Sequence, residues 1–119
     1  MAIARRPVTV LDCPAPDVLA RFYADLLGAE ITSTDADWWH LREPGGSQLA
    51  FQQVDGYVAP DWPGQDVPQQ FHLDVLVDDL DETEAAVLAL GASKHSHQPG
   101  ETFRVFLDPA GHPFCLCHA

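Results

Sequence analysis

The stretch DLLGAE at residues 25–30 decides the fold, because a similar stretch, LALGAS, occurs at residues 88–93. A second pair, EPGG at residues 43–46 and DPAG at residues 108–111, has nearly the same separation along the chain. Each match alone is common, but two matches in the same order at nearly one spacing indicate a duplicated unit. The sequence therefore predicts two copies of one structural module.

Module one, residues 7–54, has the pattern of a strand, a helix and three further strands. Apolar residues between Val18 and Leu27 recur at helical spacing, with Asp17 as the expected cap and Gly28 as the expected end of the helix. β-Branched and alternating segments, separated by turn residues, predict the strands. These strands cover residues 8–12, 30–34, 38–42 and 48–54.

Module two, residues 70–117, repeats that order. A helix is predicted over residues 80–90, because Asp81, Glu82 and Glu84 suit its positive N-terminal end and Gly91 ends it. Strands are predicted at residues 71–77, 92–97, 103–107 and 113–117. Residues 55–69, which are rich in proline, form a linker or lid between the modules. The expected fold is a single α+β domain spanning residues 1–119, in which two βαβββ modules form a curved eight-stranded mixed sheet around a cleft.

Composition limits the partners of the protein. The chain has 119 residues, of which 18 are acidic and 6 are Lys or Arg, so its formal charge is −12. This charge argues against binding to nucleic acid or to an anionic membrane surface. No apolar run is long enough for a membrane span, the N-terminal residues do not form a signal peptide, and the three cysteines do not suggest a disulfide framework. We therefore expect a cytoplasmic protein, and a homodimer because exposed sheet edges favour a partner.

Four stretches carry a resemblance to a known family. They are CPAPD at residues 13–17, the segment from Phe22 to Gly28, HLDVLVDDL at residues 72–80 and DPAGHPF at residues 108–114. Together they resemble the vicinal oxygen chelate superfamily, which has the glyoxalase/bleomycin-resistance fold. The resemblance covers nearly the whole chain and implies that fold. It leaves the activity open, because the superfamily includes isomerases, dioxygenases, epimerases, thiol transferases and non-catalytic drug-binding proteins.

The resemblance also implies where a metal site would lie. Metal-binding members place one ligand, usually His or Glu, on each of the first, fourth, fifth and eighth strands. The matching positions here are Val8 or Thr9, Ala50 or Gln52, His72, and Cys115. Only His72 keeps a ligand of the expected type, so we predict that the family's metal site is absent and that the protein needs no cofactor.

Two atypical metal sites were weighed against this prediction. His72 with Cys115 and Cys117 offers soft donors that suit zinc, although residues two apart on one strand both reach a single ion poorly. The pair His95 and His97 is better explained as polar residues on a short strand. A metal role is therefore left open for His72 alone.

Strand alternation predicts the residues that line the cleft. Apolar side chains at positions 71, 73, 75 and 77 are expected to face the helix, as are Leu49, Phe51, Phe114 and Leu116, with Trp39 and Leu41 in the core. The opposite faces, including both Cys115 and Cys117, then line the cleft, and Trp62 and Tyr57 lie above it on the loop. The predicted ligand-binding residues are Trp38, His40, Gln52, Trp62, Gln70, His72, Asp74 and Cys115.

These residues favour a protein that binds a small aromatic or cationic organic molecule without the family's metal. The alternative is a lyase or isomerase in which His72 is the catalytic base, oriented by a carboxylate such as Asp74 or Asp12, or sits in an atypical metal site. A thiolate nucleophile at Cys115 beside His72 is a further catalytic option. A third possibility is a structural or regulatory module whose groove binds nothing.

Overall fold

The computed structural model describes residues 2–119, and Met1 lies outside them. The chain divides into two compact units, the first ending at Tyr57 and the second covering Val58–Ala119. Each unit contains one helix and one four-stranded mixed sheet. The predicted α+β class and the two βαβββ modules are thereby confirmed.

The first unit contains β1, α1, β2, β3 and β4. Their bounds are Thr9–Cys13, Pro16–Leu27, Glu30–Thr34, Trp38–Arg42 and Gln48–Gln53. The sheet has the order β1-β4-β3-β2, in which β1 runs parallel to β4 and the other neighbours are antiparallel. The first and last strands of the module therefore lie side by side, and its second strand forms an edge.

The prediction that Asp17 caps α1 is wrong. The N-cap is Ala15, which makes no side-chain hydrogen bond, and Pro16 occupies the first turn. Proline suits that position because its fixed φ fits a helix and its missing N–H has no partner there anyway. Asp17 lies in the first turn instead, and Gly28 ends the helix at φ 62°, as predicted.

The face of the first sheet that packs on α1 is the one predicted from alternation. The rings of Tyr23 and Phe51 stack with centroids 5.8 Å apart, and Leu41 and Phe51 are fully buried. Trp39 is half-buried on this face, where the Arg21 guanidinium lies 5.2 Å from the centre of its ring. The core of this unit thus lies between α1 and its own sheet.

The second unit contains β5, α2, β6, β7 and β8. Their bounds are Leu73–Val77, Leu80–Leu90, Ser93–Lys94, Phe103–Leu107 and Pro113–His118. The sheet order β5-β8-β7-β6 repeats that of the first unit, again with a parallel pair formed by the first and last strands. Asp79, which the sequence analysis did not single out, caps α2 by accepting a hydrogen bond from the Glu82 N–H at 2.9 Å.

Two predicted strands are shorter in the structure by two residues or more. β5 begins at Leu73, and Phe71, which was expected to face the helix, is 66% exposed. β6 covers only Ser93–Lys94 rather than residues 92–97. The reason is that the Gln98 side chain pairs with the Val105 backbone on β7, accepting from its N–H at 2.9 Å and donating to its carbonyl at 2.8 Å. The Gln98 side-chain amide therefore takes the place of backbone groups in the hydrogen bonding between β6 and β7.

Two expectations about the chain concern its membrane spans and its cysteines. Neither helix within residues 2–119 is long and apolar enough to cross a membrane. Cys13 and Cys115 are buried, and Cys115 and Cys117 are free thiols.

Candidate functional site

Strand pairing in the second unit brings Asp74, Cys115 and Val105 onto one face of the sheet. Asp74 on β5 is paired with Cys115 on β8, and Cys115 is paired with Val105 on β7. Residues paired across neighbouring strands point to the same face. His72 directly precedes β5 and reaches the same site, since its Nε2 lies 3.1 Å from Oδ1 of Asp74 and it lines one pocket together with Cys115.

This face opens into a pocket of about 240 Å³ within the second unit. Its apolar walls are Trp62, Pro99, Phe103, Val105 and Pro113, and its polar groups come from Gln69, His72 and Cys115. Apolar walls with a few converging polar groups are typical of small-molecule sites. The volume suits a molecule of about one or two rings, since a cavity of roughly 150 Å³ already holds benzene.

Trp62 is held in the wall of this pocket by two imidazole rings. The ring centroids of His95 and His97 each lie 5.3 Å from that of Trp62, in edge-to-face arrangements. His95 is fixed in turn, because its carbonyl accepts a hydrogen bond from the Gln98 amide at 2.8 Å and its Nδ1 accepts from the His97 N–H at 2.9 Å. The His95 and His97 pair, interpreted from the sequence as ordinary polar residues, therefore supports an aromatic wall.

His72, one of the polar residues that line the pocket, contacts the carboxylate of Asp74 beside it. Nε2 of His72 lies 3.1 Å from Oδ1 of Asp74, and the two side chains are 41% and 58% exposed. A carboxylate at this distance orients an imidazole by hydrogen bonding to one of its ring nitrogens. The contact between His72 and Asp74, which the sequence alone could not establish, is therefore present in the structure.

The two thiols on β8 are held in their neutral form. Burial raises the pKa of Cys115 from an ordinary value of 9.0 to about 12, with further contributions from the Asp74 charge, from Cys117 and from a hydrogen bond to Asp74. Burial and the same carboxylate also raise the pKa of Cys117. A neutral thiol is a poor nucleophile, so the geometry does not favour covalent catalysis by Cys115.

One polar atom of the pocket residues has no partner. Among residues 2–119, the side-chain oxygen Oε1 of Gln69 is buried and accepts no hydrogen bond. A buried acceptor without a donor costs about 1–3 kcal/mol, which a bound molecule carrying an N–H recovers. The sequence analysis named Gln70, which is exposed and does not line the pocket, rather than Gln69.

The sequence analysis also missed the contribution of β7 to the pocket. Phe103 and Val105 line it, because they are paired with Cys117 and Cys115 across the β7–β8 ladder. Alternation along residues 103–107, applied as it was to the neighbouring strands, would have found both residues. Pro99 and Gln69 lie in irregular segments, for which strand alternation gives no signal.

The remaining predicted residues lie together in the first unit. Trp38 and His40 alternate along β3, and Gln52 on β4 is paired with Trp38, so the three share one face of that sheet. The Trp38 indole N–H donates to Nε2 of His40 at 3.2 Å. Nδ1 of His40 is buried and, among the described residues, lacks a hydrogen-bond partner. Their role in ligand binding stays a prediction.

The turn at residues 108–111 is a structural device, as its chemistry predicted. The buried Asp108 carboxylate accepts hydrogen bonds from the N–H groups of Ala110 and His112 at 2.9 and 3.0 Å, and it lies 2.8 Å from Nδ1 of His112. The His112 side chain is only 16% exposed. The pair anchors the start of β8.

One group of side chains among the described residues has the spacing of metal ligands. A nitrogen of His72, a carboxylate oxygen of Asp74 and the sulfur of Cys115 all lie within 4.8 Å of one another. The atypical set considered from the sequence contained Cys117, whereas the structure groups Asp74 with the other two.

Two βαβββ modules, each with its first strand beside its fourth, define the glyoxalase/bleomycin-resistance class of α+β proteins. A family model described as a glyoxalase-like domain matches residues 8–117. The chain therefore belongs to the glyoxalase-like domain family, within the vicinal oxygen chelate superfamily.

Solved structures support the same fold. A glyoxalase/bleomycin resistance protein/dioxygenase family enzyme from Burkholderia phytofirmans PsJN has a TM-score of 0.71 and 15% identity, covering 93% of this chain and 95% of that one. The oxidase ChaP-H2 has a TM-score of 0.67 and 21% identity, covering 99% and 95% of the two chains. A glyoxylase/bleomycin resistance protein/dioxygenase domain from Frankia sp. EAN1pec has a TM-score of 0.66 and 21% identity, covering 99% and 93%. Identities this low show the fold alone, and no curated protein matches the chain.

Proposed function

We propose that the protein binds a small aromatic molecule carrying a protonated or N–H-bearing nitrogen, in the pocket of the second unit. The observation that carries the proposal is the pocket itself, whose aromatic walls meet an acceptor-rich polar end. Phe103 and Trp62 offer ring faces, and Gln69 offers an unsatisfied acceptor. Asp74 supplies negative charge beside His72. A cationic nitrogen is attracted by both the ring faces and the carboxylate.

The formal charge of the chain supports the same choice of ligand. A net charge of −12 attracts cationic small molecules and repels anionic ones, most strongly at low ionic strength. The pocket needs no metal ion for this kind of binding. A homodimeric state and a cytoplasmic location remain predictions from the sequence.

Benzylamine and benzyl alcohol form a matched pair of probes, because they share a ring and differ in charge at neutral pH. We expect ligand-observed NMR, with a chelator present, to show tighter binding of benzylamine. Phe103→Ala removes a wall and should abolish saturable binding, whereas Phe71→Ala removes an exposed phenylalanine that does not line the pocket and should have no effect. Equal losses in the two variants, or binding that both variants retain, would contradict the proposal.

A second candidate function is proton transfer by His72. The observation that favours it is the 3.1 Å contact between Nε2 of His72 and Asp74, the arrangement in which a carboxylate orients an imidazole base. With the Nε2 proton directed at Asp74, Nδ1 of His72 is left to accept a proton from a carbon acid. A lyase or isomerase acting on an oxygenated metabolite needs such a base.

Proton abstraction is tested without knowing the product. The protein is incubated in D₂O with a panel of small α-hydroxy ketones, and deuterium uptake at the carbon next to the carbonyl is followed by NMR. His72→Gln should abolish the uptake and Asp74→Asn should slow it, with the far-ultraviolet circular dichroism unchanged. Absence of enzyme-dependent exchange across the panel would leave binding as the function that the site supports.

A further inference from the structure

The register of the second sheet gathers three different donor atoms in one place. Asp74 and Cys115 are direct partners in the parallel β5–β8 ladder, and Nε2 of His72, which directly precedes β5, lies 3.1 Å from Oδ1 of Asp74. The nitrogen, oxygen and sulfur atoms all lie within 4.8 Å of one another. The objection raised for Cys115 and Cys117, that two residues of one strand reach a single ion poorly, does not apply to this set, because it contains only one of the two thiols.

These distances are close to those of a tetrahedral metal site. Zinc binds nitrogen and oxygen at about 2.0–2.2 Å and sulfur at about 2.3 Å, so two donors on one ion are separated by roughly 3.5 Å. The donor atoms, which all lie within 4.8 Å of one another, therefore have to approach by roughly 1 Å at most to share an ion. His72 and Asp74 are partly exposed and therefore accessible to an ion from solution.

The donor set differs from the one implied by the family. That set takes ligands from four strands, whereas Val8 and Ala50 offer no donor, and Thr9 and Gln52 offer neutral oxygens that hold such an ion weakly. The residues present do not fit the family's metal site. In the proposed set His72 and Cys115 occupy the fifth- and eighth-strand positions, with a thiol at the eighth, Asp74 is a ligand from outside the family's four positions, and all three ligands come from one unit.

We propose that the second unit binds one thiophilic divalent cation of the zinc class, held by an imidazole nitrogen of His72, the carboxylate of Asp74 and the thiolate of Cys115. On binding, the Cys115 thiol loses its proton to solvent and the sulfur–metal bond forms. A sulfur ligand favours Zn²⁺, Co²⁺ and Cd²⁺ over Mg²⁺ and Mn²⁺. Three protein ligands leave a fourth position for water or for a molecule in the pocket, which His72 and Cys115 also line.

Cobalt is the probe, because thiolate coordination to Co²⁺ gives a charge-transfer band in the near ultraviolet that nitrogen and oxygen ligands do not give. The reduced full-length protein is titrated with Co²⁺ under argon, and Zn²⁺ is then added in competition. We expect the band to saturate at one equivalent, Zn²⁺ to displace it, and excess Mn²⁺ or Mg²⁺ to leave it unchanged. Cys115→Ser should abolish the band.

The chain offers matched controls for two of the three ligands, Cys115 and Asp74. Cys117→Ser changes a thiol two residues away on the same strand and should leave the band and the affinity unchanged. Asp74→Asn should weaken Co²⁺ binding at least about tenfold, the order expected when a group that holds or supports a metal is lost, whereas Asp78→Asn, at an exposed carboxylate on the same chain segment, should not.

Three outcomes would overturn the proposal. These are no charge-transfer band in the reduced wild-type protein, a band that survives Cys115→Ser, and an affinity that Asp74→Asn leaves unchanged. Circular dichroism of each variant identifies any loss that comes from unfolding, and Cys115→Ala repeats the cysteine test if the serine variant does not fold. Benzylamine binding is measured with a chelator present and depends on Phe103, so the failure of either proposal is seen separately from that of the other.

Discussion

The reactivity of Cys115 gives the sharpest test of the site in the absence of a metal. Burial and Asp74 raise its pKa from 9.0 to about 12, a shift of about three units that is worth about 4 kcal/mol in favour of the neutral thiol. At neutral pH the thiolate fraction is then about a thousandfold below that of an ordinary cysteine. Since the thiolate is the species that reacts, alkylation of Cys115 should be slow by at least this factor.

The shape of the pH profile shows whether slow alkylation of Cys115 comes from its raised pKa or from steric protection of the thiol. Alkylation by iodoacetamide in the presence of a chelator is followed by mass spectrometry, peptide by peptide, between about pH 8 and pH 10.5. The rate at Cys115 should rise about tenfold per pH unit throughout this range, whereas that of a free thiol levels off above about pH 9. Asp74→Asn removes the negative charge, so the alkylation rate of Cys115 should begin to level off at a lower pH than in the wild-type protein. Asp78→Asn should leave the profile unchanged. A wild-type profile that levels off near pH 9 would refute the reasoning and restore Cys115 as a candidate nucleophile.

Three further predictions concern the stability of the framework around the site and are checked by urea unfolding followed by circular dichroism. Asp108→Ala leaves two N–H groups and the His112 imidazole without their buried acceptor and should lower the free energy of unfolding by about 3–5 kcal/mol, far more than a surface substitution. Gly91→Ala places a Cβ at φ 114° and should cost about 1–2 kcal/mol, whereas the same change at an ordinary helical φ would be neutral or stabilising. Gln98→Ala removes both side-chain bonds to Val105 and should cost about 1–3 kcal/mol, with Gln98→Glu restoring only the bond from the Val105 N–H.

Much of this fold was predictable because its signals are local. Gly28 and Gly91 end helices through positive φ, a property that few other residues share, and both positions were identified from the sequence. The helix at residues 80–90 has its predicted bounds. The internal repeat then predicted the same order of elements in both modules. Local signals and the repeat were therefore sufficient for the element order and the fold class.

The misses occur where a side chain replaces an expected backbone interaction. Gln98 ends β6 early by pairing with Val105, and no periodicity in the sequence predicts that a side-chain amide will occupy that place. Ala15 begins α1 without a side-chain cap because Pro16 already favours the helical conformation. Phe71 lies outside β5, where alternation no longer fixes the direction of a side chain.

The candidate site was only partly predictable for a related reason. Alternation over the predicted strand at residues 71–77 places His72 and Asp74 on one face, and alternation over β8 places Cys115 on one face, but the register between two strands far apart in sequence is not visible in either strand. The parallel pairing of Asp74 with Cys115 is what turns three separate residues into a cluster. A shift of one residue in that register would place Leu116 beside Asp74 and remove the cluster.

Asp74 takes part in both proposed kinds of binding, that of a cationic ligand and that of a metal ion, and the two compete for its negative charge. Without an ion, its carboxylate accepts from the Cys115 thiol, lies against His72 and offers negative charge to a cationic ligand. With an ion bound, the same carboxylate is neutralised by the metal, and its attraction for a cationic nitrogen falls. Zn²⁺ and benzylamine should therefore weaken each other's binding, and the weakening should be equal in the two directions because binding at two linked sites is reciprocal. The sign of this coupling follows from charge alone, so binding of benzylamine that Zn²⁺ strengthens would show that the amine coordinates the metal as a neutral ligand.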